Sequence, residues 1–192
     1  MDQLRHIQEK ITGLLSQKQT IIIAIDGYGG SGKSTLARKI QNEFTGSVII
    51  TIDDFVTSVE NPPDRKRFLS QVLLPLTENK AAHFQRFDWD EEVLADWKYV
   101  NPEGLIIIEG VSVLGADFNS FYNFRIWIDC PLELASKRGM ERDRNIYKVN
   151  NDQKRIEIWI KGDQEYAKTE PWKRADIVIK ASGISLNYDS SD

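Results

Sequence analysis

A chain of 192 residues is long enough for one domain with a sizeable core and short for two. Its 25 Lys and Arg against 29 Asp and Glu leave a formal net charge of −4, so no overall field favours nucleic acid or an anionic membrane, and any anion site must be local. Hydrophobic residues at 41% and charged residues at 28% describe a globular chain rather than a disordered or membrane-spanning one, and the single cysteine, Cys130, excludes an intramolecular disulfide or a cysteine-based zinc cluster.

The opening segment places Leu4, Ile7, Ile11, Leu14 and Leu15 at helical spacing, which predicts an amphipathic helix ending near Lys18. Four short, β-branched apolar runs follow: TIIIAID from Thr20, SVIITID from Ser47, GLIIIEG from Gly104 and FRIWIDC from Phe124. A fifth, ADIVIKA, begins at Ala175. None alternates cleanly, as strands buried on both faces need not, and helical patterns lie between most of them. The first such pattern, Lys33 to Phe44, aligns Leu36, Ala37, Ile40 and Phe44; the next, Asp64 to Leu74, aligns Phe68, Leu69, Val72 and Leu73 until Pro75 disrupts it. Pro131 opens a helix through Arg138 towards Arg142, and Asp152 to Lys168 forms another with Ile156, Trp159 and Ile160. The expected architecture is a three-layer α/β fold with a mainly parallel five-stranded sheet. Residues 1–192 read as a single domain with no linker, and only the tail from Leu186 looks loosely held. No N-terminal segment resembles a signal peptide, so a cytoplasmic location is expected.

Gly27-Tyr28-Gly29-Gly30-Ser31-Gly32-Lys33-Ser34 fits GxxxxGK[ST] between a buried strand and an amphipathic helix, where the pattern has physical meaning. The glycines let successive N–H groups curl inward as an anion nest, and the helix that follows directs its positive end at the same phosphates. Lys33 would neutralise the β and γ phosphates, and Ser34 would give a hydroxyl to Mg²⁺, with Thr35 a second hydroxyl beside it. The implied ligands are therefore ATP and Mg²⁺, and the expected α/β architecture becomes the three-layer P-loop NTPase fold. Since GTPases and transporters use the same loop, other residues have to discriminate. Asp53 or Asp54, at the end of the second strand, can accept a proton from an acceptor hydroxyl or hold Mg²⁺ through water. Glu109 ends the third strand as a Walker-B acid would. Arg138 and Arg142, four residues apart, share a helix face and could close over ATP as an arginine-bearing lid, about 137–150. In the insert between the second and third strands, about 56–103, Arg86, Phe87, Asp88 and Trp89 mix ionic and aromatic groups as a nucleoside acceptor requires, although Phe87 and Trp89 also suit a core. His6 and His83 lack a metal-ligand pattern, and Cys130, Trp97, Trp159 and Trp172 read as packing.

AIDGYGGSGKSTLA, TIDDF, QRFDWD, IIIEGVSVL and RGMERD occur in the order found in the uridine kinase and phosphoribulokinase family, which the chain resembles from about Ile21 to Ile179. The resemblance implies that Asp53 is the general base and also near the metal, that Glu109 assists Mg²⁺, and that Arg142, next to Asp143, is the transition-state arginine, with Arg138 less fixed by the family's spacing. It further implies phosphoryl transfer from ATP to a nucleoside hydroxyl, with uridine or cytidine the first acceptors; the RFDW segment departs from the base-recognition residues of the uridine-cytidine enzymes, and Arg86, Asp88 and Trp89 are placed around the acceptor with Asp53 by their own chemistry. Nicotinamide riboside, pantothenate or a nucleoside monophosphate are the alternative acceptors, and a nucleotide-binding regulator without catalysis is the alternative class. Neither nucleic acid nor membrane is an expected partner, and a homo-oligomer is left open. Adenine is expected near the lid and the loop around Ala181 to Gly183.

Overall fold

The computed structural model describes residues 3–58, 62–145 and 153–183 of the chain. Helix α1 (Gln3–Leu15) buries Ile7 and Ile11 and leads into β1 (Thr20–Asp26), whose residues from Ile21 onward are all buried. The glycine-rich loop then enters α2 (Lys33–Glu43), which lays Leu36, Ala37 and Ile40 on the sheet. Strand β2 (Val48–Thr51) is followed by a 3₁₀ turn, Ile52–Phe55. A helical stretch comprises α3 (Arg65–Phe68), a π turn (Leu69–Leu73) and α4 (Leu74–Thr77). After it come β3 (Ala82–Asp88), β4 (Val93–Val100), β5 (Gly104–Glu109), β6 (Phe124–Asp129), α5 (Leu132–Asn145), α6 (Gln153–Ala167) and β7 (Ile177–Lys180).

Strands β2, β5, β1, β6 and β7 form one sheet in that order, and every pairing in it is parallel. The five apolar runs of the sequence are these strands; β1, β5 and β6 in the middle are buried on two faces as the missing alternation required, while the edge strands β2 and β7 are only partly covered. Ile21, Ile23 and Ile25 of β1 face α1 and α2 with Leu36, Ala37 and Ile40. Ile22 and Ala24 face the opposite layer, where Phe55, Phe68, Phe84 and Phe118 pack. The result is the expected three-layer α/β arrangement with the carboxyl ends of all five strands on one edge, where ligands bind in such sheets.

The second apolar run stops being a strand earlier than its sequence suggests. Thr51 Oγ1 accepts the N–H of Asp53 and starts the 3₁₀ turn, so Asp53 and Asp54 stand on a turn and not on an extended strand. The third helical pattern, in turn, does not end at Pro75. The π turn before it widens the backbone, and the helical path runs on through Pro75 into α4. The insert also contains an antiparallel ribbon, β3 with β4, displaced in register between Gln85 and Phe87. The loosely held tail and the part of the expected lid from 146 onward lie outside the described residues. Among the described residues no helix is long and apolar enough to cross a membrane.

Candidate active site

The phosphate loop starts where β1 ends, and its conformation depends on glycine. Gly30 and Gly32 have φ of 82° and 104°, a left-handed region costly for any residue with a side chain. Space is short as well: a Cβ on Gly30 would meet the Ala135 carbonyl of α5, and one on Gly29 would fall within the Trp159 indole of α6. Ser31 is fully buried, and its Oγ has no hydrogen-bond partner among the described residues. Lys33 is only 8% exposed and folds back so that Nζ donates to the Tyr28 carbonyl at 2.9 Å.

Asp26, the last residue of β1, is fully buried and fixes the loop's start. Its Oδ1 accepts N–H groups from Gly27 at 2.7 Å and Ser112 at 3.2 Å, while Oδ2 accepts from Leu114 N–H at 2.7 Å and the Tyr166 hydroxyl at 2.6 Å. One carboxyl thus ties the loop to the segment after β5 and to α6. Burial raises its pKa from 3.8 to about 6 against the pull of these donors and of Lys33. Sequence reading missed Asp26: three of its four donors lie more than eighty positions away, so no local pattern marks it.

Ser34 Oγ, at the start of α2, donates to Glu109 Oε1 at 3.3 Å. Glu109 is 8% exposed and held above the usual carboxylate range by burial, with Lys33, Thr51 and Ser34 pulling down and Asp53 pushing up. Asp53 opens to solvent on one side, while protein fills most of the volume around it. That enclosure raises its carboxyl, and the opposing charges of Lys33 and Arg142 lower it. Asp54 is pushed up to about 6 by burial, with Arg86 and Lys98 opposing and Asp53 adding to the rise. The structure thereby brings together Lys33, Ser34, Asp53, Glu109 and Arg142, residues far apart in the chain. Ser34, Glu109 and Asp53 form a hard oxygen set of the kind that suits Mg²⁺ with several waters retained, and their crowding of negative charge favours a cation there. Among the described residues no group of three or more His, Cys, Asp or Glu is placed to hold a metal ion.

Other expected residues lie elsewhere. Arg138 Nη1 reaches Cys130 Sγ at 3.8 Å, at the base of α5, while Arg142 faces Asp53. The side chain of Asp143 lies outside the described residues, and Thr35 is half-buried on α2. Arg86 is exposed on β3 within electrostatic reach of Asp54. Asp88 serves the ribbon's turn: its Oδ1 accepts N–H groups from Asp90 at 3.0 Å and Glu91 at 3.1 Å. Trp89 is 46% exposed at the same tip, edge-on to the buried Phe87. A cavity of about 410 Å³ opens beyond Tyr28, between Trp127 and Trp172, and none of the expected site residues lines it. Asp163 of α6 was also missed; it is 3% exposed and its Oδ2 accepts the Gly29 N–H at 3.0 Å.

Fold and loop together define a P-loop protein. A family model described as the NB-ARC domain matches residues 3–59, the stretch carrying α1, β1, the phosphate loop, α2 and β2. The chain is 27% identical to a uridine kinase of Borrelia duttonii over 181 residues, covering 84% of this chain and 87% of the relative. It is 26% identical to a uridine kinase of Lactobacillus johnsonii over 148 residues, 67% of this chain and 70% of the relative. A solved structure described as a possible uridine kinase from Bacillus stearothermophilus superposes with a TM-score of 0.63 at 20% identity, over 91% of this chain and 99% of that one. The chain is therefore similar in sequence to uridine kinases and has the fold of P-loop kinases.

Proposed function

We propose that this chain is an ATP-dependent kinase that moves the γ-phosphoryl group to a hydroxyl of a nucleoside-like acceptor, uridine or cytidine first. The observation that carries the reading is Asp53, facing Lys33 and Arg142 across the mouth of the phosphate loop beside the Ser34–Glu109 pair. Asp53 takes the acceptor's hydroxyl proton as the new O–P bond forms and the bond to the β–γ bridging oxygen breaks, releasing ADP. A carboxyl raised by its enclosure is a better proton acceptor than a fully hydrated one. Lys33 and the loop amides bind the phosphate chain, and Arg142 stabilises charge on the equatorial oxygens. Ser34 and Glu109, with Asp53 at the edge, would hold Mg²⁺, which supplies neutralisation of the phosphate oxygens.

ADP release with Mg²⁺-ATP across uridine, cytidine, nicotinamide riboside, pantothenate and CMP tests the reading, with Asp53→Asn as control. Because the transition state is loose and positioning dominates, Asp53→Asn is expected to lower kcat by at least about 100-fold while ATP affinity stays within about threefold. Equal losses in both would overturn the role of Asp53. ATP binding with no acceptor-dependent release from any compound would favour the non-catalytic regulator. An anionic acceptor, such as pantothenate or a nucleoside monophosphate, has its own support: Arg86 and Lys98 set positive charge next to Asp54, while Asp88 is occupied by the turn.

A further inference from the structure

Two donors of the phosphate loop, the Gly29 N–H and the Lys33 ammonium, are already engaged from within the chain. Asp163 lies on the inner face of α6, 3% exposed, with Oδ2 on the Gly29 N–H at 3.0 Å. One turn earlier on the same face, the Trp159 indole covers Gly29 and reaches Gly139 of α5, so tightly that a Cβ at either glycine would overlap it. The loop's lysine is turned the same way, with Nζ on the carbonyl of Tyr28, the residue before Gly29. A carboxylate therefore sits on one amide of the loop's nest, near the ammonium, under an aromatic roof.

The position within the nest identifies what the carboxylate replaces. In loops of this pattern the helix end and neighbouring amides cradle the inner phosphates, and the lysine reaches the β and γ phosphates. Here the ammonium rests at Tyr28, on the half of the loop away from α2, and Asp163 acts on that ammonium as well as on Gly29. Lys33 also faces Asp26, Asp53 and Glu109, so this single cation is shared among four carboxyls. A terminal phosphate arriving beside Asp163 would add like charge where the one ammonium is already outnumbered.

Resting on the reading of ATP as donor, we propose that the Asp163 carboxylate, roofed by Trp159, is an internal stand-in for the terminal phosphate of ATP, an autoinhibitory latch that closes the loop until a nucleoside triphosphate displaces it. A diphosphate, which ends before that seat, binds with the latch in place. ATP therefore opens α6 and ADP does not, and release of the transferred phosphoryl group lets Asp163 return.

Asp163→Asn removes the charge and keeps the shape, including an oxygen that can accept from Gly29. Calorimetric titration with Mg²⁺-ATP and Mg²⁺-ADP should show this variant binding ATP about tenfold more tightly than the unaltered chain, with ADP within about twofold. Hydrogen exchange on the unaltered protein gives a second reading that needs no variant: ATP should speed exchange of the 157–167 backbone, and ADP should not. An ATP affinity unchanged or weakened by Asp163→Asn, or α6 equally protected with both nucleotides, overturns the latch alone. Failure of both proteins to bind either nucleotide overturns the donor reading and the latch with it.

Discussion

Asp26 accepts four hydrogen bonds and its pKa is still about 6, because burial costs the anion more than its donors return. Asp54 is displaced to about the same value from the same cause. For both groups the folded value lies above the ordinary 3.8, so between those values the folded state binds more protons than the unfolded one and stability falls as pH rises. Asp88 works in the opposite sense. The amides of Glu91 and Asp90 hold it low, so its contribution is present above 3.8 and fades as the pH drops through its lowered value. The thermal midpoint without nucleotide should therefore be higher at pH 5 than at pH 7, and Asp54→Asn should shrink the difference. Midpoints that climb from pH 5 to pH 7 would contradict the assignment. The positions of Lys33 and Ser34 were legible from the spacing of the glycine-rich loop, and those of Asp53 and Glu109 from the ends of two apolar runs. Asp26 and Asp163 were not, since their roles depend on donors brought from distant parts of the chain.

Packing between elements is as demanding as the chemistry of single groups. Helices α5 and α6 meet the phosphate loop through Gly139, Gly30 and Gly29, with Trp159 filling the space a side chain would need. Gly139→Ala should destabilise the protein by about 1–3 kcal/mol, as overpacking does. The loss should be partly recovered in the double variant with Trp159→Ala, a coupling that denaturant midpoints of the four proteins would reveal. Additive losses would mean that the indole is free to move aside. At this scale periodicity located the helices well and their endings poorly. Thr51 starts a turn with its hydroxyl, and the π turn lets the helical path run on through Pro75, and neither leaves a mark in the spacing of apolar residues. The β3–β4 ribbon escaped because β4 is mostly exposed, so it lacks the apolar run that betrayed the sheet.

Across the molecule, two apolar clusters sit on opposite faces of the sheet. Phe55 is the joint between sheet and insert: fully buried, its ring centroid lies 5.1 Å from that of Phe68 and 5.0 Å from that of Phe84. Phe55→Ala should cost about 3–5 kcal/mol, with the insert and the Asp53 turn loosening together. Chemical denaturation would measure the loss, and a cost below about 1 kcal/mol would show that the insert is anchored elsewhere. The parallel sheet and its layers were readable because buried strands announce themselves by composition.

The order of those strands has a consequence for how the protein is made. Strands β1 and β2 leave the ribosome early, but β5 stands between them, pairing Thr20 with Gly104 and Val48 with Ile106. Until the second half of the chain is synthesised, two of the most apolar segments have a vacant place between them one strand wide. The growing chain must carry these unpaired edges through the whole insert, which leaves them open to mispairing with neighbouring chains on a polysome until β5 is made.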